Sequence, residues 1–592
     1  MSGAARPYLR EALLAARRHL GEWNRIGYAA DAGSLCRQAW LYRLPVGFHP
    51  PTLQCAAYSV GRLFLFRHPD NPFCNSGQVL SALRAAVAFT RSLQHRDGSF
   101  PEWYPSQRSF CATSYLAAYH AMLLPELGSD WTEEHAGWLF RAGRWIARNL
   151  REESSNQMAA AACALHFLSL WEKGREFDSG KTRATELLLK GQHEEGWFPE
   201  YGGADPGYQS LTLDFLVRIR SRTPSEELLT SIRRGMDFLS ATVLPDGTVP
   251  SACSMRGTNF LTPFAIEFMA GSSAEVALLR RKLLRGVATG AIPAPSTVDA
   301  RCASHLLLPS YVDAAIIEAE KGDAGDEENR GAEASGKRLV FPEAGILCYP
   351  SPAVSVVLSV RRGGCLQGSL GENAPIPFYD TGYFIRAAGR WTISSCRSES
   401  SRAETGDRDV ETGLLMTTDG RGGTIPTRFT KPFRTLRPAV LLCGSIAGRL
   451  GMATRWERYM KRRAFREFAA SPFRFRRAVK ITDSEILIED EILNPSGLRV
   501  DAFLAAALPL LSAQPSSQFF SVSDLGWRFR LSTADSTRIA RSLSTRRAVS
   551  IEKRIVLKHG RWTPSWTSSG MLLELAEPYP DSEDPSALRI PV

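Results

Sequence analysis

A chain of 592 residues, 44% hydrophobic and 22% charged, has the size of two or more domains and the make-up of an ordinary globular protein. It contains no apolar run of about 18 residues, which argues against a membrane-spanning helix; its eleven cysteines show neither CxxC pairs nor zinc-like Cys/His spacing, so no metal site and no cofactor is expected. The formal net charge of +11 suits an acidic partner or simply solubility, and the densest basic run, "RWERYMKRRAFREF" (455–468), carries no nucleic-acid fingerprint.

The opening stretch, "MSGAARPYLREALLAARRHLGEW", reads as an amphipathic helix, because Arg10, Arg17 and Arg18 interrupt any apolar signal core. Together with unpaired cysteines this points to the cytoplasm; a misassigned start would place the chain in the periplasm. Downstream, "QHRDGSFPEW" (94–103) and "QHEEGWFPEY" (192–201) share Gln-His, Gly and Phe-Pro-Glu-aromatic in register, with Gly98 and Gly196 98 residues apart. A weaker copy, "LPDGTVPSACS" (244–254), puts Gly247 51 residues further on. The underlying unit is therefore near 50 residues. It predicts further loops that "LPVGFHPPT" (44–52), "NLREESSNQ" (149–157) and "GAIPAPSTVDARC" (290–302) supply. Between the loops, "SALRAAVAFTRSL" (81–93), "QMAAAACALHFLSLWEKG" (157–174) and "LTLDFLVRIRS" (211–221) have helical spacing. Repeated helical hairpins must stack to bury their apolar faces. Stacking gives an open solenoid or a closed (α/α) toroid, with the long loops at one end.

"KGDAGDEENRGAEASGKR" (321–338) is charged and small and reads as a linker. Beyond it the period changes. "AVSVVLSVRRG", "DTGYFIRAAGRWTIS", "SEILIEDEIL" and "RVDAFLAAALPLL" are short, β-branched or alternating runs bounded by Gly, Pro, Asp and Asn. The expected organisation is α+β and multidomain: a toroid of helical hairpins over 1–320, a linker over 321–338 and an antiparallel β-sandwich, all strand, over 339–592.

This order resembles the heparinase II/III-like group of polysaccharide lyases. "EEGWFPEYGGADPGYQSLTLDFL" (194–216) looks like that group's tyrosine-bearing loop, "SMRGTNFLTPFAIEFM" (254–269) is similar to its Ser-, Arg- and Thr-bearing segment, and "FPEAGILCYPSPAVSVVLSVRRG" (341–363) looks like the opening of its sandwich. The resemblance implies β-elimination on a uronic-acid-containing, anionic polysaccharide or oligosaccharide; the missing nucleic-acid fingerprint and apolar span argue against nucleic acid and membrane as partners, and oligomeric state is not legible. It also implies roles: a tyrosine in proton transfer and an Asn, Gln or Arg that neutralises the uronate carboxylate. Tyr208 and Asn156 match those places. The group's sandwich histidine has no match, since "RRGGCLQGSLGENAPIPFYDTGYF" (361–384) contains no histidine, and His305 is the nearest replacement. These three are the expected catalytic residues. Gln157, Arg256, Asn259, Gln209, Trp103 and Tyr201 are the expected substrate contacts, through amides, a guanidinium fork and aromatic faces.

Each has a structural alternative: Tyr208 as a ring packed on the toroid wall, Asn156 as a helix cap, Arg256 as a brace for loop backbone, His305 as a core histidine beside Leu306–Leu308, and the aromatics as packing between hairpins. The repeated "FPE" reads as what the repeat needs to fold, and the single-copy "GGADPGYQ" as the functional insert. Two other functions fit the frame: a toroid glycoside hydrolase using Glu200, Asp205 and Glu102 as acid pairs, and a sugar-binding or assembly protein without catalysis. A terpene cyclase toroid is disfavoured by the absence of an Asp-x-Asp-Asp motif.

Overall fold

The computed structural model describes residues 6–41, 48–321, 339–371, 375–394, 402–405, 414–425, 442–444, 446–447, 452, 455–456, 469–505, 519–558, 561–568 and 571–573. The chain divides into a mainly helical unit, Met1–Pro350 with Thr427–Glu467 and Leu510–Asp524, and a second unit of Ser351–Pro426, Phe468–Pro509 and Leu525–Val592. Of the linker segment 321–338, only Lys321 lies among the described residues, as does only part of the loop expected at 44–52.

The long helices of the first unit are α1 (Pro7–Glu22), α2 (Ala56–Leu65), α3 (Gly77–Ser92), α4 (Phe110–Leu127), α5 (Ser129–Arg148), α6 (Ser155–Ser169), α7 (Asp178–Lys190), α8 (Pro206–Arg222), α9 (Glu226–Thr242), α10 (Phe264–Met269), α11 (Ala274–Thr289) and α12 (Leu308–Lys321). Even-numbered helices close a ring: α2 packs on α4, α4 on α6, α6 on α8, α8 on α10, α10 on α12, and α12 returns to α2. Odd-numbered helices pack around it, α3 on α2, α5 on α4, α7 on α6, α9 on α8, α11 on α10 and α1 on α12. The expected toroid is thus closed. Residue choice explains the division. α6 carries Ala159–Ala162 and Ala164, all fully buried, so helices approach it from both sides. α5 and α9 bury single stripes, such as Trp138, Ala142 and Trp145 on α5, as outer helices do.

The repeated glycine makes the turns. Gly98, Gly196 and Gly247 have φ of +97°, +93° and +85°. A Cβ at these positions would lie 2.2, 2.2 and 2.4 Å from the carbonyl oxygens of Arg141, Arg234 and Lys282 on α5, α9 and α11. Each turn is held alike, by His95 N–H to Ser99 O, His193 N–H to Trp197 O and Leu244 N–H to Thr248 O. Gln94 and Gln192 brace the first two, each donating to the turn glycine's carbonyl and to a helix carbonyl, Trp138 or Ser231. A fourth copy escapes sequence reading. A Cβ at Gly33 (φ +86°) would likewise lie 2.2 Å from Ala85 O on α3, and Asn24 N–H donates to Ser34 O. Eight residues intervene between Asn24 and Gly33 where two do elsewhere, which hides the motif.

Two short strands, β1 (Leu339–Phe341) and β2 (Ile346–Tyr349), pair antiparallel within the helical unit. Phe341 packs edge-on against Phe238 of α9, and Glu195 accepts from the N–H groups of Glu343 and Ala344.

The second unit contains β3 (Val354–Ser359), β4 (Cys365–Leu370), β5 (Ile376–Asp380), β6 (Tyr383–Ala387), β7 (Arg390–Ile393), β8 (Arg402–Thr405), β9 (Leu414–Ile425), β10 (Ala469–Ile481), β11 (Glu485–Leu493), β12 (Val500–Ala505), β13 (Trp527–Arg528), β14 (Ala548–Lys558), β15 (Arg561–Ser568) and β16 (Met571–Leu573). β3, β4 and β5 pair antiparallel, and β13 joins β5 in parallel. The larger sheet runs β12-β6-β7-β9-β10-β11-β14-β15-β16, with β8 on β9. Between the sheets, Asp380 of β5 meets Arg477 of β10 (2.9 Å) and Lys553 of β14. Asp490 of β11 pairs with the same two cations, and the Tyr383 hydroxyl donates to it at 2.6 Å. The expectation of strand alone over 339–592 needs one correction. Thr533–Thr545 is a helix, α13, capped by the Ser532 hydroxyl, with Ile539, Ala540 and Leu543 buried against the larger sheet. Its apolar stripe has helical spacing, obscured in the sequence by its Ser, Thr and Arg content.

Candidate active site

Three repeats of the helical unit contribute to one buried constellation. α6 begins directly after the 149–155 loop, so Asn156 stands in its first turn. The Asn156 Nδ2 donates to Glu200 Oε2 at 2.7 Å and to Ser154 Oγ at 2.9 Å, while its Oδ1 accepts the Tyr115 hydroxyl at 2.7 Å. The Ser154 hydroxyl lies 3.0 Å from both Glu200 oxygens. From the next loop, Arg256 Nη1 donates to Glu200 Oε1 at 3.1 Å, and its guanidinium lies over the rings of Tyr201 (4.8 Å) and Tyr208 (5.1 Å). Asp205 sets the geometry of that loop. It caps α8 by accepting the Tyr208 N–H, and its second oxygen accepts the Arg256 N–H at 2.8 Å. Tyr201 has φ +52°, a left-handed conformation unusual for a bulky side chain, and its N–H is held by Glu153 O.

The electrostatics centre on Glu200. Burial pushes its carboxyl pKa up to about 7, opposed by Arg256 and assisted by Asp205, while Asn156 and Ser154 favour the charged form. Burial likewise raises Asp205 above its ordinary value, against the N–H groups of Tyr208 and Arg256. Glu200 is 2% exposed and Arg256 and Tyr208 keep 8% each, while Tyr201 is half-buried and gives the cluster its more exposed ring.

His305 stands behind this cluster. It lies in a π-turn (Ala303–Leu307) leading into α12, and its ring meets the Tyr115 ring edge-on at 5.4 Å. Burial, reinforced by Arg301, lowers its pKa to about 4, so the ring is neutral near pH 7. Its Nδ1 faces the Arg301 carbonyl, which fixes the proton there and leaves Nε2 unprotonated. Among the described residues Nε2 has no hydrogen-bond partner.

Of the expected site residues, the structure brings Asn156, Tyr201, Tyr208 and Arg256 together, with His305 joined through Tyr115. Gln157 lies at the edge, its Nε2 3.5 Å from the Tyr201 hydroxyl. Two are placed differently. The Gln209 amide is taken up by backbone, donating to Gly196 O and Gly235 O and accepting the Phe198 N–H, so it braces the turn. Asn259 clamps Phe519 through both its carbonyl and its N–H. Both are buried amides bonded to main chain, which corrects their reading as substrate contacts. Trp103 is 60% exposed, with the Arg301 guanidinium 3.9 Å above its ring.

A further correction concerns "FPE". Glu102 and Glu200, the acids of the two copies, are both held by an arginine and a serine. Arg301 binds Glu102 at 2.8 Å with Ser109, as Arg256 binds Glu200 with Ser154. An aromatic ring lies against each arginine, Trp103 or Tyr201. The repeated motif therefore supplies the acid at the centre of the site as well as architecture. Tyr115, Ser154 and Arg301 are missed by sequence reasoning. Ser154 was signalled by its place beside Asn156; Tyr115 lies in an apolar helix and gave no signal. Among the described residues, no cluster of three His, Cys, Asp or Glu side chains is arranged to hold a metal ion.

No protein-family model matches the sequence, and no curated protein matches it. Solved structures similar to it include a Paenibacillus xanthan lyase (TM-score 0.49, 9% identity, 85% of this chain and 46% of that one), the Streptomyces coelicolor A3 chondroitin AC lyase (0.46, 10%, 85% and 69%) and heparinase III (0.47, 8%, 97% and 91%). The chain spans about half the length of the xanthan lyase it matches. No helix among the described residues is long and apolar enough to cross a membrane.

Proposed function

We propose that this chain is a lyase-type protein that acts by β-elimination on a uronic-acid-containing polysaccharide or oligosaccharide. The observation that carries the reading is the convergence of Asn156 and Arg256 on one buried carboxylate, with the Tyr208 ring under the Arg256 guanidinium, from three successive repeats. β-Elimination needs the uronate carboxylate neutralised, the α proton removed and the leaving oxygen protonated. In the proposed assignment Asn156 and Arg256 neutralise the carboxylate and the Tyr208 hydroxyl transfers the proton. His305 Nε2, unprotonated near pH 7, is the auxiliary base. Tyr201 and Gln157 border the site, and the exposed Trp103 face, under Arg301, offers a surface for a sugar ring. In this reading the elimination needs no cofactor.

The test is a panel of uronate polymers incubated with the protein and read by the ultraviolet absorbance of the unsaturated product. Absorbance growth on at least one polymer, abolished in Tyr208→Phe, supports the reading; silence on every polymer rejects it. One observation favours a second reading, a binder without catalysis. The Asn156 amide already serves Glu200, and His305 sits behind Tyr115. Binding of an acidic polymer with no absorbance change would select that reading. The hydrolase reading loses support because Asp205 is anchored through both oxygens to backbone N–H groups.

A further inference from the structure

Glu200 occupies the very donors that a uronate would need. Its carboxylate takes Asn156 Nδ2 at 2.7 Å, Arg256 Nη1 at 3.1 Å and the Ser154 hydroxyl at 3.0 Å, inside protein and 2% exposed. We propose that Glu200 is an internal stand-in for the ligand carboxylate, and that an anionic sugar binds here only as Glu200 takes up a proton and yields Asn156 and Arg256. The inference rests on the functional reading above for the place where the sugar binds, but not on catalysis.

The groups facing Glu200 leave little choice. Arg256 is the cation of the 251–262 loop, Asp205 is a second carboxylate on the 192–205 loop, and Asn156 and Ser154 come from the start of α6. The Tyr115 ring of α4 completes the near wall, and Tyr201 and Tyr208 flank Arg256. A bound uronate would make a third carboxylate against one guanidinium. Carboxylates at such range do not all stay ionised, and one takes up a proton. Asp205 is anchored in its charged form by two backbone N–H groups, so the proton goes to Glu200, whose carboxyl burial has already pushed up to about 7. The balance is simple. One proton enters from solvent, Glu200 becomes neutral, and the carboxylate count around Arg256 returns to that of the empty site.

The experiment is calorimetric binding of hyaluronan, alginate and polygalacturonate tetrasaccharides, and of their carboxyl-reduced counterparts, from pH 5.5 to 8.5. For an acidic tetrasaccharide, affinity should be flat below about pH 7 and fall about tenfold per pH unit above it. Its reduced counterpart should show no such slope. Glu200→Gln should remove the slope and bind the acidic probe at pH 8 at least about tenfold more tightly than the wild type. Ser154→Ala removes a donor that favours ionised Glu200, so it should move the break to higher pH; this keeps the test open if Glu200→Gln folds poorly. A flat wild-type profile, a slope that survives in Glu200→Gln, or no binding of any acidic probe overturns the proposal. Cleavage of a polymer with a flat binding profile would sink this inference and leave the lyase reading standing. The predicted slope without cleavage would do the reverse.

Discussion

Asn156 donates to Glu200 and Ser154 and accepts from Tyr115, so removing its side chain strands partners on three sides. Asn156→Ala is expected to lower turnover by ~10²-fold, the loss typical of a neutralising donor, and to cost roughly 2–3 kcal/mol in denaturant unfolding, because buried polar groups lose their partners. Tyr208→Phe keeps the ring that packs on Phe260 and Arg256. Turnover should fall by roughly 10²-fold or more, with stability changed by under about 1 kcal/mol. Equal stability losses in the two variants, or full activity in Tyr208→Phe on a confirmed substrate, would refute these assignments. Glu200 adds a pH signature. Its carboxyl is ordinary near 4.5 in the unfolded chain and raised to about 7 in the folded one. The folded state therefore holds a proton that the unfolded state has lost, and stability drains away as pH rises from about 4.5 to 7. Against Glu200→Gln, the wild type should lose about 3 kcal/mol across that window, as an order of magnitude; parallel curves would contradict the assignment. At this scale, Asn156 and Tyr208 are legible through the resemblance to a lyase group, each beside a loop that opens a helix, and not through spacing. Spacing gave no sign of which amide oxygens would meet backbone, which is why Gln209 and Asn259 were misread.

Among elements, the turn glycines are the fixed points. Gly196→Ala would put a Cβ 2.2 Å from Arg234 O, in a backbone conformation that L residues disfavour. A loss of about 3 kcal/mol or more is expected in urea unfolding, with the change propagating to Glu200 four residues on; a loss below about 1 kcal/mol would mean that the turn has room to relax. The repeats were legible because such a steric demand admits one residue type and leaves a periodic trace. The copy at Gly33 was hidden by a longer excursion that alters spacing while keeping the contact. α13 was missed for another reason: its stripe of Ile539, Ala540 and Leu543 is short, and its remaining residues favour turns and strands as much as helix.

At the scale of the whole molecule, we propose from composition that 321–338 is an exposed linker, although the β1–β2 pair beyond it still belongs to the helical unit. Limited proteolysis should cut first there; a first cut within 80–300 would count against it. The β unit carries its own acid sensitivity. Burial alone would raise Asp490, but Arg477 and Lys553 outweigh it and hold the carboxyl well below its usual range. Such a group stabilises the fold above its unfolded pKa, near 4, and that contribution is lost as pH falls toward the depressed folded value. Asp490→Ala leaves Arg477 and Lys553 sharing Asp380, which should cost about 3–5 kcal/mol at pH 7. In wild type the melting temperature of this unit should drop below about pH 4; indifference to acid would show that the network contributes little. The order helix then sheet was legible in the change of period. The buried ion network was not, since its members lie far apart in sequence and meet only when the sheets pair.

The first helix has a late partner. α1 packs on α12, and Arg18 donates to the carbonyls of Pro295, Ser296 and Val298, some 280 residues downstream. A ribosome adding about 5–20 residues per second makes that partner only after roughly 15–60 s. During that interval α1, whose Tyr8, Ala12 and Ala15 are destined to be fully buried, has only its smaller contact with α2. Closure of the ring must therefore await the synthesis of α12, and a chain stalled before residue 295 would expose this stripe to chaperones.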